Sequence, residues 1–170
     1  GYEVALHGEP SWNGVAILSR AGLEDVVAGL PGGPGFPHQE ARAVAATCGG
    51  IRVVSVYVPN GREPDSEHYR YKLDWLAALR AMVAAGPEAT IVLGDMNIAP
   101  TDDDVFDPDA YIGQTHVTAP EREALQALGE YYRRFEWRWD EARALMERAL
   151  ALDPNNSEAH LSYTYYLSGP

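Results

Sequence analysis

Two short stretches of the 170-residue chain carry side chains suited to phosphate-ester chemistry. In Gly94-Asp95-Met96-Asn97 a carboxylate and a carboxamide stand two residues apart, directly after the apolar run Thr90-Ile91-Val92-Leu93. Such a run, rich in β-branched residues, predicts a short buried strand that delivers the acid at its carboxyl end. Residues i and i+2 of an extended segment point to one side, so Asp95 and Asn97 are expected to face a common site. A carboxylate can align and deprotonate water, and a carboxamide can donate to a phosphoryl oxygen. That pairing suits hydrolysis of a phosphate ester. Both residues are also good turn formers, so on this stretch alone a plain turn is the simpler account. The second stretch, Val56-Tyr57-Val58-Pro59-Asn60-Gly61, sits at another predicted strand end. Its phenol can hydrogen-bond a phosphate and Asn60 can contact a nucleic-acid backbone, or Tyr57 is simply an amphipathic residue at a core edge.

The elements that must position these groups read as α/β. Gly14 to Ser19 is a compact apolar run. Residues 42–47 and 51–58 flank Gly49-Gly50, a pair of the kind that closes a hairpin. The Gly/Pro-rich stretch from Leu30 to Pro37 predicts a loop. Ser66 can cap a helix running to about Ala85, with Leu73, Leu76, Leu79 and Val83 at helical spacing and Gly86-Pro87 as its stop. Strand, helix and strand from residue 51 to residue 95 then suggest a βαβ-like crossover. Asp102 to Asp109 is an acidic loop, and Ala119 to Leu128 a further helix with Pro120 in its first turn. Past residue 130 the strand signals stop and Tyr, Trp, Arg, Ala and Leu dominate.

Composition narrows the function classes. Net charge is −12, from 13 basic and 25 acidic residues; residues 1–130 hold 8 and 19 of them. Phosphate affinity comes mostly from Lys and Arg, so non-specific nucleic-acid binding is disfavoured, and a nucleic-acid function needs a local site or metal ions. A single cysteine, Cys48, excludes an internal disulfide framework and a multi-cysteine zinc site. Apolar runs fall far short of the roughly 20 residues that span a bilayer. The reading is a cytoplasmic protein with no membrane association. The chain opens on Gly1 and not on Met, so its natural start is expected upstream.

Taken together, the motifs carry a resemblance. Gly1-Tyr2-Glu3-Val4 through His7-Gly8, Asn13-Gly14-Val15-Ala16-Ile17-Leu18-Ser19, Tyr57-Val58-Pro59-Asn60-Gly61 and the helix around Tyr71-Lys72-Leu73-Asp74-Trp75-Leu76 come first. Gly94-Asp95-Met96-Asn97-Ile98-Ala99-Pro100-Thr101-Asp102 and Pro120-Glu121-Arg122-Glu123 follow in the same family order. Residues 1 to about 129 resemble the central portion of the exonuclease III and abasic-site endonuclease family, within the endonuclease/exonuclease/phosphatase superfamily. The resemblance implies Mg²⁺- or Mn²⁺-assisted hydrolysis of DNA phosphodiesters beside abasic sites or at 3′ ends. It implies that Tyr57 contacts the scissile phosphate, that Asp95 orients or deprotonates the attacking water, and that Asn97 supports the phosphate and the transition state. Asn60 matches the loop that approaches the DNA backbone. The family's metal-binding glutamate lies on a strand expected before Gly1, and its Arg-x-Asp and Ser-Asp-His segments have no match here. No metal ligand is therefore assigned within the chain, and metal binding by these residues alone is expected to be weak. His116 and His160 are read as surface or loop residues.

The segment from about 130 to 170 resembles something different. Trp139 to Asn155, with Ala142, Ala149 and Pro154, is similar to the second helix of a tetratricopeptide repeat, though a generic amphipathic pair fits as well. About three such repeats make a self-sufficient core. The expected architecture is thus an incomplete two-sheet α/β sandwich flanked by helices (residues 1–129, with open sheet edges), followed by a C-terminal helical hairpin (130–170). Alternatives to a DNA repair nuclease are a helical-repeat module that docks a protein partner, or a non-functional chimeric fragment.

Overall fold

A computed structural model describes residues 1–36, 38–87 and 89–130. The tetratricopeptide-like reading of 130–170 falls outside the described residues. Within them the chain forms β1 (Glu3–Gly8), β2 (Gly14–Ser19), β3 (Glu24–Ala28), β4 (Ala43–Cys48), β5 (Ile51–Tyr57), α1 (Glu67–Ala85), β6 (Thr90–Asp95) and α2 (Ala119–Glu130). Strand β3 has no counterpart in the sequence reading. Its Glu24-Asp25-Val26-Val27 is short and half charged, and it is held through a bulged antiparallel pairing with β4. The acidic loop contains two short 3₁₀ turns, Asp102–Asp104 and Pro108–Tyr111.

The strands make two sheets. β1 and β2 form an antiparallel hairpin, and β3-β4-β5-β6 form a four-stranded sheet in that order. Gly49 and Gly50 both adopt positive φ, +57° and +86°, which the tight β4–β5 hairpin requires and a β-carbon would oppose. β5 and β6 run parallel, so a crossover must join them, and α1 supplies it. Ser66 caps α1 by accepting the Tyr69 N–H at 3.1 Å. Tyr69, Leu76, Leu79 and Val83 lie on its buried stripe.

Alternation along β4 and β5 divides the core into two layers. Ala43, Ala45, Val54 and Val56 face the helices and pack with Tyr71, Trp75, Leu76, Leu79 and Val83 of α1 and Leu128 of α2. Val44, Ala46 and, partly buried, Val53 and Tyr57 face the hairpin residues Ala5, Val15 and Ile17. The order is therefore helices, four-stranded sheet, hairpin, a mixed α/β sandwich. Among the described residues β6 pairs only with β5, and its Ile91 and Leu93 are each 47% exposed.

Gly94 fixes how closely β6 approaches β5. Its φ is +137°, and a β-carbon there would lie 1.9 Å from the carbonyl oxygen of Val56. No side chain fits without displacing a strand. Gly94→Ala is expected to destabilise the chain by about 3 kcal/mol or more, combining backbone strain with overpacking. Urea unfolding checks this; an unchanged midpoint would mean that β6 does not lie against β5 in this register.

Candidate active site

The parallel register brings the two sequence motifs to one end of the sheet. Tyr57 and Asp95, the last residues of β5 and β6, are direct cross-strand partners. The ladder continues one step further, with Val58 N–H donating to the Asp95 carbonyl at 2.9 Å. Asn97 joins them, though not by the extended geometry expected from its spacing. It adopts φ +50°, a left-handed conformation that Asn tolerates, and its N–H donates to Asp95 Oδ1 at 2.9 Å. Its side-chain Nδ2 donates to Val58 O at 2.8 Å and lies 3.4 Å from Asp95 Oδ2. The turn and the site are thus one object: the turn is what joins acid and amide. The amide's donors are engaged within the chain, so Asn97 ties the ends of β5 and β6 together and orients the exposed Asp95 carboxylate.

The Tyr57 ring is held from one side by Arg42, whose guanidinium carbon sits 4.7 Å from the ring centroid. Arg42 also pairs with Glu40 at 2.6 Å and exchanges a backbone bond with Tyr57, whose N–H donates to Arg42 O at 2.8 Å. Glu40 accepts in turn from Asn13 Nδ2 at 3.0 Å. Burial, and then the Glu40 charge, push the Tyr71 phenol beside this pair up to about 12.

Beneath the site lies a buried ion pair between Lys72 of α1 and Glu121 of α2, each 0% exposed. The Lys72 ammonium also donates to Asn97 O at 2.7 Å and to Asn60 O at 3.2 Å. Glu121 accepts from Thr115 Oγ1 (2.7 Å), His116 N–H (3.0 Å), Thr118 N–H (3.1 Å) and Thr118 Oγ1 (2.7 Å). Burial works against both charges. It prevails for Lys72, whose pKa falls despite Glu121, whereas the hydrogen bonds from Lys72, His116, Thr118 and Thr115 hold the Glu121 carboxyl below its usual range. Neither residue stood out as functional in the sequence, yet both left a signal. Lys72 completes the 3-4-3-4 stripe Tyr69, Lys72, Leu76, Leu79, Val83, where a charge demands a partner. Thr118 and Glu121 have the spacing of a capping box.

Asn60 is exposed at the rim. Its Oδ1 accepts Arg62 N–H at 3.0 Å, and its Nδ2 lies 3.0 Å from His116 Nε2. His116 thus meets a predicted site residue, which its place in a loop did not announce. Its φ of +80° and Arg62's of +55° put two strained residues beside Asn60. A pocket of about 140 Å³ opens here, lined by Phe36, Arg42, Asn60, Arg62, His68 and Tyr71 among others. A larger pocket of about 480 Å³ lies at the opposite end of the sheet, around Arg52, Met82 and Thr90, remote from Asp95.

The family model described as "Endonuclease/Exonuclease/phosphatase family" matches residues 1–153. The chain belongs to this family. It is 28% identical over 116 residues to an exodeoxyribonuclease of Bacillus subtilis (strain 168), a match covering 67% of this chain and 45% of that protein. Its fold matches a Neisseria 3′ phosphatase, NExo, bound to a product DNA hairpin, with a TM-score of 0.70 and 37% identity over 77% of this chain and 51% of the other. An AP endonuclease from Archaeoglobus fulgidus matches with a TM-score of 0.68 and 37% identity, over 76% and 51%. The chain spans about half the length of these family relatives.

Nucleases of this family are generally metal-dependent. Among the described residues no group of three or more His, Cys, Asp or Glu is placed to hold a metal ion. Asp95 is the exposed carboxylate at the strand ends, with one oxygen accepting from Asn97. A six-oxygen magnesium shell is not met by that donor set.

The buried pair makes a pH prediction. Because the folded Glu121 pKa is depressed, its stabilisation is fully present above the unfolded value near 4.5 and is lost as pH falls through the folded value. Glu121→Gln is expected to cost about 3–5 kcal/mol at neutral pH, by stranding Lys72. The difference in unfolding free energy between wild type and variant should shrink as pH drops below 4.5. Urea titrations across that range check the sign; a constant difference would mean that Glu121 is not ionised in the fold.

Proposed function

We propose that the chain acts in metal-dependent hydrolysis of DNA phosphate esters, beside abasic sites or at 3′ ends. The observation that carries the reading is the juxtaposition of Tyr57 and Asp95 as register partners, clamped by Asn97, in a chain of this family. The names of the three relatives, exodeoxyribonuclease, 3′ phosphatase and AP endonuclease, describe hydrolyses of phosphate esters in DNA. In all three reactions the attacked group is a phosphorus atom, so one kind of site chemistry suits them.

On this reading each residue has a task that its geometry supports. Asp95 Oδ2 aligns a water and receives its proton as the water attacks. Tyr57, its ring held under Arg42, donates its phenolic proton in a hydrogen bond to a phosphoryl oxygen. Asn97 keeps Asp95 from rotating away. Asn60 and the exposed Arg62 meet the next phosphate along the backbone. A divalent cation, Mg²⁺ or Mn²⁺, would polarise the phosphate and stabilise the leaving oxygen; Asp95 would offer it one carboxylate, and further ligands would be needed.

The test incubates the full chain with Mg²⁺ or Mn²⁺ and two duplexes, one with a single abasic site and one with a 3′ phosphate. Metal-dependent product release is expected from at least one, abolished by EDTA. Asp95→Asn should lower kcat by about 10²-fold or more, with an unchanged melting temperature, since the carboxamide keeps the acceptor for Asn97 N–H. Tyr57→Phe keeps the ring under Arg42 and is expected to lower kcat with stability preserved. Full activity in Asp95→Asn, or no product with either metal, would overturn the proposal.

A further inference from the structure

We propose that Lys72 is a positioning residue of the strand-end site: its ammonium ties the Asn60 loop and the Asp95–Asn97 turn to Glu121, and so sets the distance between the two. An ammonium has three N–H donors, and this one has three acceptors on three separate segments: Asn60 O at 3.2 Å, Asn97 O at 2.7 Å and the Glu121 carboxylate. The Asn97 bond falls on the one site residue that is itself hydrogen-bonded to both Asp95 and Val58. Movement of that carbonyl therefore moves the carboxylate.

The surroundings are shaped for this contact. Gly61, at φ +89°, leaves room for the lysine stem; a β-carbon there would come within 2.9 Å of Lys72 Cδ and of Thr115 Oγ1. Thr115 Oγ1 lies 3.1 Å from the same Asn60 carbonyl and 2.7 Å from Glu121, and its single proton serves one of these two acceptors at a time. A pair serving stability alone needs its remaining N–H groups satisfied by some acceptor; here both acceptors are backbone carbonyls of the two loops of the site. The catalytic consequence rests on the hydrolase reading above; the geometric claim does not.

The test uses the full chain and the double variant Lys72→Met with Glu121→Gln. It removes both charges at nearly constant volume, so no unpaired charge is left buried. Hydrogen exchange is followed at the Asn97 and Val58 amides, with Val54 and Ala45 as core controls. Exchange at Asn97 and Val58 is expected to rise by about tenfold or more while the core amides hold. On the DNA substrates kcat is expected to fall by about tenfold or more at unchanged KM. Thr115→Val keeps both charges and removes the hydroxyl shared between Asn60 O and Glu121, so it should loosen the Arg62 amide more than Asn97, whose carbonyl Lys72 still holds. It keeps the claim testable should the double variant fail to fold.

Unchanged exchange at Asn97 in the double variant, or equal loosening at Arg62 and Asn97 in Thr115→Val, would overturn the positioning role. Retained kcat in a cleaving double variant would overturn its catalytic consequence and leave the hydrolase reading intact. Selective loosening in a chain whose wild type cleaves nothing would support the positioning role and overturn the hydrolase reading.

Discussion

The structure around the candidate site depends on one buried ion pair. Taking a lysine and a glutamate out of water costs several kcal/mol per ion, and mutual attraction offsets that only when the remaining donors and acceptors are satisfied. Here both members are wholly buried and richly bonded. The pair joins α1 to α2 and collects the loops after β5 and β6 and before α2. A hydrophobic pair of equal volume would fill the space but could not tell those loops where to stop. The charges therefore contribute more to geometry than to net stability.

The parallel pairing of β5 and β6 is the second constraint, and it is coupled to the first through α1. A parallel neighbour requires a crossover, and the crossover helix that packs Trp75, Leu76 and Leu79 on the sheet also carries Lys72 to the strand ends. Register and site are thus set by one element. Gly94 removes the last freedom, since only a residue without a β-carbon lets β6 approach Val56 so closely just before the acid. The turn after it then places Asn97 between the two strand ends, where its carboxamide bridges Val58 and Asp95.

Much of this was legible in the residues. Ser66 and Gly86-Pro87 marked α1, Gly49-Gly50 marked the hairpin, and the β-branched run before Asp95 marked β6, because capping, turn and strand chemistry are local. β3 was not legible: its charged half gives no alternation, and only pairing with β4 makes it a strand. The convergence at the sheet end was partly legible. Spacing placed Asp95 and Asn97 together but for the wrong reason, since extended geometry ends at the acid and an Asx turn takes over. Arg42 over Tyr57 and His116 against Asn60 could not be read at all, because 15 and 56 residues separate the partners and only tertiary packing brings them near. Lys72 is the instructive case. Its position on an apolar stripe announced a buried charge, but not which acid would answer it.

The charge balance gives the site its character. The site holds two basic groups at its centre, Arg42 and Lys72, and both are paired, with Glu40 and Glu121. Among the described residues the exposed carboxylate of Asp95 forms no ion pair. Two like unit charges at 4 Å repel by about 1 kcal/mol in bulk water and about 4 kcal/mol near a protein surface. An acidic chain with a net charge of −12 adds to that repulsion at longer range. Hydrogen bonds from Tyr57 and Asn60 supply no compensating charge, and Arg62 supplies only one. If the chain hydrolyses phosphate esters as proposed, further positive charge beside Asp95 would ease their approach to that carboxylate. On that proposal, cation dependence would follow from the engagement of the chain's own bases, Arg42 with Tyr57 and Glu40, and Lys72 with Asn97 and Glu121.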